Sequence, residues 1–139
     1  MKYFILIAFA IVVSCATVAQ NQFEKNKTIN DIEQALQKCY DRATDNANTI
    51  TCAYDASKAA NNLLNQLYKK ALAIAPTSFK NVLITSQRQW LTYKINDDRL
   101  QEKLYAASPG TMYIPMIGHR SFELIKERCI FLEEVIERF

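Results

Sequence analysis

The sequence predicts an all-α fold, a small antiparallel bundle of about four helices. Three observations carry this. The 139-residue chain holds only two glycines and three prolines. Turns, hairpins and bulges consume both residues, so their scarcity points to few turns and long helices. Apolar side chains recur every three or four positions through most of the chain. The connections between these stretches are short, which makes antiparallel neighbours the default packing. A 50% hydrophobic composition with 22% charged residues suits one folded core.

The first stretch is a targeting segment. Lys2 is the positive charge of a short leader, and Phe4 to Val13 is an unbroken apolar run. It is too short for a membrane-spanning helix, which needs roughly 20 apolar residues, and it fits a signal-peptide core. Thr17 and Ala19 are small residues placed for cleavage ahead of Gln20. Val12, Val13 and Ser14 before Cys15 form a competing lipobox, with Cys15 as the lipidated residue. Residues 1–19 are therefore a signal peptide, 20–27 a polar lead-in and 28–139 the helical domain. The protein is expected outside the cytoplasm, periplasmic or secreted, and on a membrane only if lipidated at Cys15.

Four amphipathic stretches follow. Thr28, with Asp31 three residues on, forms a capping box for a helix over 29–43, whose apolar positions include Ile29, Ile32 and Leu36. Residues 44–49, rich in Asn and Asp, read as a turn. Thr51 caps a second helix carrying Ala56, Ala60, Leu63, Leu64, Leu67, Ala71 and Ile74. Ala75 before Pro76 stops it, because a residue preceding proline disfavours the helical region. A third helix starts near Thr77 or Ser78 and runs through Phe79, Leu83, Trp90, Tyr93, Leu100 and Leu104, about 28 residues or roughly 40 Å. It is expected to continue through the polar run 96–99. Residues 106–118 form the one substantial loop. Ser121 caps a fourth helix with Phe122, Ile125, Cys129, Leu132 and Ile136 on its apolar face.

Little in the chain suits catalysis. His119 is the only histidine, so histidine-rich zinc sites are excluded, and there is no glycine-rich phosphate loop. The cysteines lack the Cys-x-x-Cys spacing of zinc or redox sites. The adjacent carboxylates Asp97–Asp98 and Glu133–Glu134 point about 100° apart on a helix and do not converge. The residues thus argue against an enzyme and imply no cofactor or metal. Seventeen basic and fourteen acidic residues, net +3, are interspersed, and no block of basic charge marks a nucleic-acid surface. The 106–118 loop is the better candidate for function. Met112, Tyr113, Ile114 and Met116 are apolar side chains in a Pro/Gly segment expected at the surface, where they suit an interface anchor. Folding back to cap the end of the bundle is the competing reading.

Cys39, Cys52, Leu64–Asn65 with Tyr68, Gln87 with Trp90, Tyr93–Lys94, Gly110–Thr111 and Arg128 stand in an order and spacing that resembles the LprI-type lysozyme-inhibitor-like family, over about 39–132. The resemblance implies a small exported helical domain with a Cys39–Cys52 disulfide. Such a bridge closes a loop of about 14 residues and contributes roughly 3 kcal/mol in the chain-entropy model. Tyr68, Asn65 and Trp90 are expected in the core, with the Asn65 side chain as partner of the indole N–H. The family's second cysteine pair falls on Asp98 and Arg120, whose opposite charges predict an ion pair in its place. Its usual threonine is Ile125 here. Cys129 has no counterpart and is expected as a buried free thiol, with capture of Cys39 or Cys52 as the alternative. The resemblance implies a protein partner, lysozyme or another cell-wall hydrolase, which the chain would inhibit. A structural or accessory envelope module that binds without inhibiting is the other reading.

Soluble export gives a mature N-terminus at Gln20 and no lipid. N-terminal sequencing and labelling with radioactive fatty acid test this, and incorporation that is lost in Cys15→Ser would establish the lipoprotein instead.

Overall fold

The computed structural model describes residues 28–108, 110 and 113–139. The leader, Cys15, the lead-in and Met112 lie outside the described residues.

Helix α1 spans Ile29–Tyr40. It opens on the predicted capping box: the Asp31 N–H donates to Thr28 Oγ1 at 3.2 Å, and the Thr28 N–H donates to Asp31 Oδ2 at 3.1 Å. Ile29, Ile32, Ala35 and Leu36 form its buried face. The helix stops before the predicted end at 43, and α2, Asn46–Ile74, begins before Thr51. The reason is Asp45, whose carboxylate accepts the Asn48 N–H at 2.8 Å and caps the helix there. Thr51 then lies inside α2, its hydroxyl donating to the Ala47 carbonyl. The turn shrinks to 41–45. Ala75 takes an extended ψ of 137° ahead of Pro76 and ends α2 where the sequence predicts.

Helix α3, Thr77–Ala106, is unbroken through 96–99 and about 45 Å long. It starts at Thr77, as the sequence predicts, with Pro76 at the cap position and no side-chain cap. Helix α4, Ile114–Arg138, starts well before Ser121. Pro115 stands in its first turn, where the fixed φ of proline is already helical and no N–H is needed. Gly118 lies within the helix rather than in a loop. A Cβ on Gly118 would sit 2.7 Å from the Ala53 Cβ, so glycine lets the start of α4 press onto α2.

The helices run down, up, down and up. The α2–α4 interface is the largest, and these two run in the same direction, with Gly118 beside Ala53 and the Cys129 Sγ 3.8 Å from the Ala60 carbonyl. Ala53, Ala56, Ala60 and Ala71 of α2 face Phe122, Ile125, Cys129 and Leu132 of α4 in one core. Helix α1 lies on α2 and touches α4. The Cys39–Cys52 disulfide staples α1 to α2, with Cα atoms 5.7 Å apart. Cys129 is a free, buried thiol; burial, with help from Glu133, pushes its pKa up to about 12 and leaves it unreactive. Helix α3 packs against α4 and buries only Leu83.

Gly118→Ala should lower stability. The alanine gains about 1 kcal/mol of helix propensity, but overpacking against Ala53 costs about 1–3 kcal/mol. A reduced urea midpoint is expected; an unchanged or raised one would show that the α2–α4 approach is not fixed at this point.

Candidate functional site

The seam between α3 and α4 holds most of the polar chemistry of the fold. At its centre is Arg128, only 8% exposed. Its Nε donates to Gln87 Oε1 at 2.8 Å and an NH2 to Ser86 Oγ at 3.1 Å. The guanidinium carbon lies 5.8 Å from the centre of the Trp90 ring and 4.8 Å from that of Phe131. Burial lowers the pKa of the guanidinium, and the nearby Tyr68 hydroxyl opposes that shift. Among the described residues no carboxylate pairs with Arg128. Neutral acceptors and ring faces hold the charge instead, which is the setting in which a planar guanidinium outperforms an ammonium. Ser86, Gln87, Trp90, Arg128 and Phe131 are thus one cluster that binds α3 to α4.

Asn65 is not part of that cluster. It is exposed on α2, and no hydrogen bond joins it to Trp90. Helix α3 leans on α4 rather than closing over α2, so half-buried Trp90 meets Arg128 instead of Asn65. The predicted Asp98–Arg120 pair is also corrected. Arg120 Nε pairs with Asp97 at 3.3 Å and its NH2 reaches the Tyr93 hydroxyl at 3.2 Å. Asp98 pairs with Lys94 at 2.7 Å, and Lys94 also donates to Ser121 Oγ at 2.8 Å. Adjacent helical residues diverge by about 100°, so only one of the two aspartates can face Arg120. Tyr93 and Asp97 lie a turn apart on that ridge; Lys94 and Asp98 lie on the next. Its hydrogen bond to the Asp97 carboxylate raises the pKa of Arg120.

Of the candidate loop residues, Ile114 and Met116 project from the first turn of α4 and are 43% and 51% exposed. Tyr113 is half-buried and stacks on Tyr105, ring centres 5.3 Å apart and 16° from parallel. Beside them all four helices border a cleft of about 520 Å³ lined by Tyr40, Tyr105, Pro115, Met116, His119 and Glu123, among others. The Tyr40 hydroxyl is buried without a hydrogen-bond partner among the described residues, and burial, with Glu123, raises its pKa. His119 Nε2 is 4.0 Å from Glu123, at the surface. Among the described residues no group of three or more metal-ligating side chains converges.

A second concavity was not anticipated from the sequence. Between the start of α3 and the end of α4 lies a groove of about 360 Å³, lined by Phe79, Val82, Leu83, Phe131, Val135 and Phe139, with Ser86, Glu134 and Arg138 on its walls. Phe79 and Phe139 meet edge-on, ring centres 5.0 Å apart. The signal was present in the sequence, in the aromatic residues Phe79, Phe131 and Phe139. Periodicity placed Phe79 on the apolar face of its helix, and the position of α3 against α4 leaves all three open.

The family model for "Lysozyme inhibitor LprI" matches residues 39–132, and the chain belongs to this family. No match was found among curated proteins or among solved structures. The matched segment contains the disulfide and the Ser86–Gln87–Trp90–Arg128–Phe131 cluster.

Arg128→Ala should cost about 2–4 kcal/mol, because it opens a cavity between two rings and strands Gln87 and Ser86. Arg120→Ala, removing a half-exposed pair, should cost about 0–1 kcal/mol. Urea unfolding of both variants checks the order; equal losses would mean that Arg128 is not the clamp of the seam.

Proposed function

We propose that this member of the LprI family is an exported cell-envelope protein that binds lysozyme or another wall-degrading hydrolase and inhibits it. The observation that carries this reading is the family match, which spans the stapled α1–α2 corner, the α2–α4 core and the α3–α4 seam. One further feature supports a binding role. Ile114 and Met116 expose apolar surface beside the four-helix cleft, and such side chains act as anchors when a partner covers them. No helix among the described residues is long and apolar enough to cross a membrane.

One observation favours the alternative, an accessory envelope module that binds a peptide, a wall component or an exported protein without inhibiting anything. The chain carries a net charge of +3. A basic hydrolase would be repelled at long range, and its capture would depend on local charge.

The purified protein should slow clearing of a cell-wall suspension by lysozyme in proportion to its concentration. Full lysozyme activity at micromolar excess of the protein would remove the inhibitor reading for that enzyme. A complex that forms on gel filtration without loss of activity would favour the accessory reading.

A further inference from the structure

Arg128 carries a buried charge that its neighbours leave unbalanced. Only 8% of the residue is exposed, and no carboxylate stands within 4.0 Å of it among the described residues. A guanidinium keeps its proton inside a protein, so burial leaves the charge in place. It presents five N–H donors in a planar fork. Gln87 and Ser86 accept from Nε and NH2 and take up one edge of that fork. The other edge, NH1 with the second N–H of NH2, has no acceptor among the described residues. That edge still touches solvent. The side-chain polar atoms that are both sealed and without a partner are, among the described residues, Tyr40 Oη and Ser57 Oγ, and no Arg128 nitrogen is one of them.

Two more donors stand beside the guanidinium. The Tyr68 hydroxyl is close enough to act on its charge, and the Trp90 ring centre lies 5.8 Å from its carbon. Neither the Tyr68 hydroxyl nor the Trp90 indole N–H makes a hydrogen bond among the described residues. The surroundings of Arg128 are thus rich in donors and poor in acceptors. A planar carboxylate matches such a place, since it accepts two parallel N–H bonds from one edge of the fork.

The same guanidinium adjoins the α3–α4 groove. Ser86 and Phe131, which both touch it, also line that groove. Glu134 and Arg138 lie one turn apart on the groove wall and offset each other, so the Arg128 charge is the unbalanced one there. From Ser86 to Phe79 the groove runs about 10 Å along α3, past Leu83 and Val82.

We propose that the open edge of Arg128 is an anion site whose ligand is an aliphatic monocarboxylate. The carboxylate sits on the guanidinium, with Tyr68 as a further donor, and the aliphatic tail lies along the apolar groove. This site goes beyond the inhibitor reading and does not rest on it.

Trp90 is the only tryptophan of the chain, so its fluorescence reports the site directly. Sodium octanoate should change the fluorescence of the full mature chain saturably. Octanol, with the tail and no charge, and acetate, with the charge and no tail, should each bind at least tenfold more weakly. Tyr68→Phe should weaken octanoate about three- to tenfold. Arg128→Lys keeps the charge, loses the fork and should weaken it at least tenfold. Circular dichroism checks that both variants are folded; if Arg128→Lys is not, Tyr68→Phe and the octanol comparison decide. Octanol binding as tightly as octanoate, a response that does not saturate, or unchanged octanoate affinity in the folded variants would overturn the proposal. Acetate binding as tightly as octanoate would overturn the groove as the seat of the tail. Lysozyme takes no part in this test, so its failure leaves the inhibitor reading standing.

Discussion

The close approach of α4 to α2 is the constraint on which the other contacts depend. Ala53, Ala56 and Ala60 extend no further than Cβ and are fully buried. Gly118 has no Cβ at all, at the one point where a Cβ would collide with Ala53. This lets Phe122, Ile125 and Leu132 reach full burial against α2. Each alanine buries little apolar surface itself. Its contribution is the space it leaves for large side chains on the facing helix, since interiors reward close packing and tolerate few voids. The Cys39–Cys52 bridge then holds α1 over the same core at one end.

Because α4 spends its apolar face on α2, its remaining sides must hold α1 and α3 by other means. Lys126 reaches Glu33 of α1, and Arg120 and Arg128 reach Asp97, Gln87 and Ser86 of α3. One helix thereby uses three of its basic residues as internal ties. The Lys94–Asp98 and Arg120–Asp97 pairs lie where the family resemblance places a second cysteine pair. Partly exposed pairs are weak compared with a disulfide, about 0–1 kcal/mol each. The lower part of the α3–α4 seam is accordingly held more loosely than the Arg128 cluster, and α3 keeps Val82, Leu91, Ile95, Leu100 and Leu104 at the surface.

The Cys129 thiol is buried in the α2–α4 core, whereas His119 stands at the surface beside Glu123. Among the described residues two concavities with mostly apolar linings lie toward opposite ends of the bundle.

The number and order of the helices, the α1 capping box, the stop at Ala75–Pro76 and the continuity of α3 were legible in the sequence, because each depends on local periodicity or on contacts a few residues apart. The Cys39–Cys52 staple came from the family pattern. The helix starts at Asn46 and Ile114 were misplaced because several residues there can cap or turn, and local chemistry does not rank them. The partner of Trp90, the choice of Asp97 over Asp98 by Arg120, and the open groove of Phe79, Val82, Phe131 and Phe139 were beyond it. Helical periodicity tells which side chains share a face. Which neighbouring helix covers that face, and how much of it is left uncovered, is set by the rotation and lean of α3 against α4, and those are fixed only when the whole bundle packs.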